Sequence, residues 1–246
     1  GPGLSGLVIK FFGPWYAFLA NAISFGISAL GISLAKVRFD ERPVKTGRPR
    51  MSELKEGFQF FRSVPLALVL LLTTMIVNAC SQPSGIALNI HVIKTFKSDA
   101  AYLGVITSIC AAASLLSSFV IASRKRWARL GLMVWGAIAV AGVSFVLAAV
   151  APWIFLVAVA FFLFGLAGPA LQIAIQTLYQ NITPPDVRGR VFALRVSFSQ
   201  LLSPISFAAS GALLDGLGSR VVFAGFGVVL LTLSITLATR KELRDV

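Results

Sequence analysis

The amino-acid sequence predicts an all-α bundle of membrane-crossing helices, and three observations carry that reading. First, 57% of the 246 residues are hydrophobic and only 13% are charged, where a soluble domain carries roughly 25% charged residues. Mean hydropathy is +0.87. Second, the apolar residues gather in continuous runs. A bilayer core is ~30 Å thick, so a crossing helix needs ~20 apolar residues. Third, the basic residues alternate along the chain with those runs. Disorder is excluded by the same composition.

The runs fall in order at 14–35, 65–90, 102–122, 130–150, 153–180, 191–214 and 220–239. A shorter apolar piece at 1–12 reads as the back half of a further span, with the front of a longer protein before it. No signal-peptide pattern opens the chain. Inside lipid the backbone must bond to itself, so these runs are expected to be helices. A β-barrel would show ~10-residue alternating segments instead. Pro83 should bend the second run, because proline removes a backbone donor. Gly168-Pro169 should break the fifth, and Pro204 interrupts the sixth. Between the first two runs, residues 51–62 read as a short amphipathic helix. Ser52 is its expected cap, and Leu54, Phe58 and Phe61 share its apolar face. It is expected to lie at the membrane surface.

The net charge of +13 has two ready explanations, nucleic-acid binding and the basic excess on the cytoplasmic side of a membrane protein. Position decides between them. Lys36, Arg38, Arg42, Lys45, Arg48, Arg50, Lys55 and Arg62 fill one connection, Arg124, Lys125, Arg126 and Arg129 another. Arg188, Arg190 and Arg195 follow, then Arg240, Lys241 and Arg244. These segments alternate, so they share one side, leaving only Lys10, Lys94, Lys97 and Arg220 on the other. Positive connections stay in the cytoplasm. The linker and the carboxyl terminus are therefore assigned there, and a nucleic-acid partner is set aside. Trp15, Trp127 and Trp153 lie at run ends, where amphipathic rings favour the interface, and Trp135 sits just inside.

The start of the chain overlays its end. Ser5-Gly6 meets Ser210-Gly211, Gly13 and Phe18 meet Gly218 and Phe223, and Lys36 meets Lys241. Half span, glycine turn, full span and basic exit recur in the same order, a parallel repeat of a kind found in transporters. The arrangement resembles the major facilitator superfamily, whose two six-helix halves are joined by a long cytoplasmic linker. Gly1-Pro2-Gly3-Leu4-Ser5-Gly6 is similar to the end of that family's Gly-Pro-rich fifth-helix motif. Asn21-Ala22-Ile23-Ser24-Phe25 and Pro184-Pro185-Asp186-Val187-Arg188-Gly189-Arg190 resemble the branch of enterobactin exporters and macrolide efflux pumps. The family's Gly-x-x-x-Asp-Arg-x-Gly-Arg loop motif is not reproduced. The corresponding stretch, 122–129, carries no acid.

The resemblance implies a carboxyl-terminal half with the end of the preceding half attached. Residues 1–35 would be the last helices of that preceding half, 36–64 the linker, 65–240 a six-helix bundle and 241–246 a cytoplasmic tail. It implies proton-coupled export of a small organic molecule, a drug or siderophore, across the inner membrane by alternating access. The expected partners are the lipid bilayer, that substrate, protons and the preceding half. No cofactor is expected. A non-transporting permease or scaffold subunit, and a channel, are the rival readings.

No enzyme constellation appears. Cys80 and Cys110 lie inside apolar runs and give no disulfide framework or metal spacing. His91 is expected at the membrane interface near Lys94, and no phosphate-binding loop occurs. The polar residues inside spans carry more. Asn78, Gln82, Gly85 and Asn89 share one helical face, and Gln172, Gln176 and Gln180 share another. Ser199, Ser203, Ser206 and Ser210 form a stripe, with Gln200 beside it. Such groups either hold helices together or line a substrate cavity. The cavity candidates are Asn78, Gln82, Gln172, Gln176 and Gln200. The candidate gating loop is Asp186, Arg188, Gly189 and Arg190, with Asp186 pairing to an arginine and Gly189 turning the chain. Asp99, Asp186 and Asp215 stand at span ends or in connections, so a coupling carboxylate is expected in the preceding half.

Overall fold

The computed structural model describes residues 12–34, 50–123 and 129–240. Residues 1–11 of the half span at 1–12, residues 35–49 with the start of the 36–64 linker, the motif comparison at 124–128 and the tail 241–246 lie outside the described residues. The chain divides into two compact units, Gly1–Pro49 and Arg50–Val246. The first contains α1, Pro14–Leu34, entered from Gly13 at φ 89°, a backbone setting that glycine adopts without strain. Trp15, Phe18, Phe25 and Ile32 are all exposed on it.

The second unit consists of helices and short connections among its described residues. It comprises α2 (Arg50–Ser63), α3 (Pro65–Ser81), α4 (Ser84–Ile90), a π turn (His91–Thr95), α5 (Ala100–Ala122), α6 (Leu130–Val150), α7 (Ile154–Ile182), α8 (Arg188–Ser199), α9 (Ser203–Leu217) and α10 (Ser219–Ala238). Among the described residues, 7 helical stretches are long and apolar enough to cross a membrane. Two of them are compound, Pro65–Thr95 and Arg188–Leu217. The fold is an all-α polytopic membrane bundle. Its rim is greasy: Leu115, Phe119, Phe155 and Ile235 point outward, a surface that acyl chains solvate and water does not.

The centre of the unit is built on close backbone approach. α6 packs along both α7 and α10, and α5 packs along α7. Where α10 crosses α6, a Cβ at Gly227 would stand 2.6 Å from Val146 Cγ2 and 2.9 Å from the Val146 backbone nitrogen. Only a residue without a side chain fits there. Gly142 meets Leu231 in the same way, with its Cβ position 2.8 Å from Leu231 Cγ. Ser234 donates to the Trp135 carbonyl at 2.8 Å and ties the same pair further along. Phe145, fully buried, stacks on Phe164 at 4.9 Å between ring centres.

α7 runs unbroken through Pro169, which corrects the break expected at Gly168-Pro169. Proline at 169 deprives the Gly165 carbonyl of its helical partner. The Ser114 hydroxyl of α5 takes that carbonyl at 3.0 Å, and Ser117 takes Leu166 at 2.7 Å. A neighbouring helix supplies the missing donor, so the helix need not open.

The span from Pro65 instead bends at Gln82-Pro83, between α3 and α4, with Pro83 at φ −69°, ψ −14°. It also continues five residues past Ile90 through the π turn. The Arg188–Leu217 span is interrupted at Gln200, Leu201 and Leu202, between α8 and α9, and Pro204 falls in the first turn of α9. α2 begins at Arg50, so Ser52 lies inside its first turn and not at the cap. Phe61 is buried and meets Tyr179 edge-on, Phe58 is exposed, and Gly57 packs on Leu194. α2 is thus docked on the bundle through one face.

Candidate functional site

The two compound spans meet at their interruptions. Pro83 leaves the Ala79 carbonyl without a helical donor, and the Ser206 hydroxyl of α9 donates to it. From the neighbouring position, Asn78 Nδ2 donates at 3.0 Å to the carbonyl of Ser199, the last residue of α8. Gln82 Nε2 donates to Gln200 Oε1, and Ser203 Oγ donates to the same oxygen at 3.1 Å. Carbonyls released by a proline or a helix end are therefore matched by side-chain donors from the facing span. Gly85 and Asn89, expected on the Asn78 face, are exposed beyond this seam.

Beside the seam lies a cavity of about 170 Å³ lined by Thr74, Asn78, Ser81, Gly168 and Gln172 above an apolar floor that includes Phe164. The structure thus brings Asn78 and Gln172 to one cavity and puts Gln82 and Gln200 in the seam next to it. Gln176 goes elsewhere. Its Oε1 accepts from Arg195 Nη1 at 3.0 Å.

Arg195 corrects the charge assignment. The positive-side count groups it with the loop arginines, yet it is only 5% exposed and lies in α8, two turns or roughly 10 Å from the helix start. Its guanidinium sits 4.9 Å from the Tyr179 ring centre and 5.8 Å from that of Phe192. Tyr179 is itself fixed, fully buried and donating its hydroxyl to the Ala67 carbonyl at 2.7 Å. A cation at the centre of a spanning helix costs about 3 kcal/mol on insertion scales, and less toward its end. The hydrogen bond to Gln176 and the two rings recover part of that. No carboxylate pairs with Arg195 among the described residues.

The family comparison decides what kind of bundle this is. Residues 81–245 match the family model described as Major Facilitator Superfamily. The chain is also 30% identical over 261 residues to the uncharacterized MFS-type transporter YfiS of Bacillus subtilis (strain 168), covering 100% of this chain and 60% of that protein. The chain belongs to the major facilitator superfamily. It spans 60% of the length of that relative.

In this major facilitator chain the Pro184-Pro185-Asp186-Val187-Arg188-Gly189-Arg190 stretch is a turn followed by the opening of α8. The turn is made at Pro185, Asp186 and Val187, and Gly189 already lies in the helix, so Gly189 does not turn the chain. Arg188 does not pair with Asp186. It donates to the Gln180 and Thr183 carbonyls at 3.1 and 3.3 Å, capping the end of α7 with a cation, as the helix dipole favours. Asp186 is exposed, as are Asp99 and Asp215.

Two features escape sequence reading. His91, expected at the interface, is fully buried. Its Nδ1 lies 2.8 Å from Ser219 Oγ, Thr95 Oγ1 is 3.0 Å from the same oxygen, and Nε2 has no partner. The signal was faint: a lone polar ring in an apolar run, with its partner 128 residues away. The serines of α5 that stabilise the Pro169 helix gave no signal, because what they serve is a proline on another helix. Arg195 did leave a sign. It stands four residues before Ser199, on the face of the serine stripe.

Proposed function

We propose that this chain is the carboxyl-terminal part of a secondary transporter that exports a small amphipathic organic molecule, a drug or siderophore, in exchange for protons. The basic connections face the cytoplasm of the inner membrane, and access alternates as two halves rock about a central site. The observation that carries the reading is the polar seam between two interrupted spans, beside a mostly apolar cavity that carries the Asn78 and Gln172 amides and the Thr74 and Ser81 hydroxyls. At about 170 Å³ this cavity is smaller than the ~300 Å³ or more of a drug-sized site. It supplies one wall, and the facing half supplies the other.

Proton coupling is assigned to that facing half. Asp99, Asp186 and Asp215 are exposed at span ends, so none of the three is an embedded carboxylate of the kind that carries a proton across lipid. The test is efflux by the full-length protein in energised everted vesicles. Saturable, competable efflux of amphipathic dyes that collapses with a protonophore is expected. It should survive Asp99→Asn, Asp186→Asn and Asp215→Asn. Unsaturable flux would mean a channel, and no flux for any probe would overturn the transporter.

A further inference from the structure

We propose that Arg195, together with Gln176, is a recognition site for an oxyanion, the carboxylate of an amphipathic organic substrate. The inference deepens the transporter reading and rests on it for the word substrate, but the binding site stands on its own geometry. A guanidinium cannot shed its proton in a protein, so the charge in this span is permanent. It carries five N–H donors in a planar fork, and Gln176 Oε1 accepts from Nη1. The side-chain atoms fully enclosed without a partner, among the described residues, are His91 Nε2 and Thr183 Oγ1. Arg195 is not among them, and its hydrogen bond to Gln176 engages Nη1 alone, in a side chain that is only 5% exposed.

The surroundings define the acceptor. Tyr179 and Phe192 flank the guanidinium and suit an apolar or aromatic body behind the charged head. The fork favours a planar, two-oxygen group over a point charge. Gln176 lies one helical turn from Gln172, which lines the cavity beside the seam. Arg195 likewise lies one turn from Ser199, whose carbonyl holds Asn78. The two helical steps lead from the cation to the same place, so an anion bound at Arg195 would extend toward the cavity. A cation whose partners among the described residues are all neutral, one helical turn from residues that hold or line the cavity, suits an anionic ligand.

The test compares benzoate with the isosteric neutral benzamide, using the full-length protein in nanodiscs of zwitterionic lipid and titration calorimetry. Benzoate should bind about tenfold or more tightly than benzamide, the ratio a charge-assisted hydrogen bond supports. Arg195→Gln should erase the preference. Gln176→Glu puts a carboxylate against the guanidinium, so it should abolish benzoate binding while leaving the melting temperature unchanged or raised. Equal affinity for the two probes, or a benzoate preference that survives R195Q, overturns the inference. Should R195Q fail to fold, Q176E decides: benzoate affinity equal to the parent's overturns it. Dye efflux in the same protein separates the two readings. Efflux without benzoate preference sinks the anion site alone, and benzoate binding without efflux of any probe sinks the transporter alone.

Discussion

The α6–α10 crossing and the seam between the two interrupted spans answer one problem in opposite ways. Lipid offers helices no hydrophobic reason to associate, so contacts must come from packing or from hydrogen bonds. At the crossing, Gly142 and Gly227 let two backbones come together, and what holds them is close-packed atoms. At the seam, Asn78, Gln82 and Ser206 hold the spans by polar bonds, two of them to carbonyls that a proline or a helix end has released and one to the Gln200 side chain, which Ser203 of the same span also bonds. The first kind of contact has one good geometry. The second tolerates a change of partner. A rigid pair and a re-arrangeable pair sit side by side in one bundle, and the cavity lies against the re-arrangeable one.

The comparison is broken most forcefully at the crossing. Gly227→Leu drives a side chain into Val146 and should cost about 3 kcal/mol or more, read as loss of folded protein in a detergent thermal-stability series. Next is the anchor at the end of the bundle that carries the basic connections. Tyr179→Phe removes the hydroxyl bonded to the Ala67 carbonyl and should cost about 1–2 kcal/mol, with a lowered melting temperature. Ser114→Ala should cost about 1 kcal/mol by exposing the Gly165 carbonyl. In a Pro169→Ala background, where an N–H returns to that carbonyl, the same change should cost close to nothing. A double-mutant cycle measures the difference, and equal costs in the two backgrounds would remove the proline–serine account. Smallest in stability is Asn78→Ala, at about 0.5 kcal/mol. Its effect should appear in efflux rate, because it loosens the re-arrangeable side alone. A melting-temperature loss as large as that of G227L would show that the seam is as rigid as the crossing.

Apolar run length made the spans legible, because each residue's preference for lipid adds up over some twenty positions. The bounds of α6 needed nothing beyond that sum. The reading failed where one residue's fate depends on a distant one. Pro169 reads as a break because its rescue by Ser114 lies on another helix. Pro83 and Pro204 do fall at or just after interruptions, where the local rule was left to act. His91 looks interfacial because Ser219 is far along the chain. Arg195 was sorted by charge alone, since side-count arithmetic assigns a basic residue near a span end to the connection. For the candidate site, periodicity picked out the amide faces but not their partners. It could not show that Gln172 reaches the cavity while Gln176 is taken by an arginine.

The seam's donors are few, separate and short, and each acceptor they serve is one that a single water molecule could satisfy as well. Parting the two spans therefore requires no helix to unwind. Were the spans to part, hydration could replace one side chain after another, like a zip whose teeth disengage in sequence, so how readily they separate would depend on how easily water enters between them.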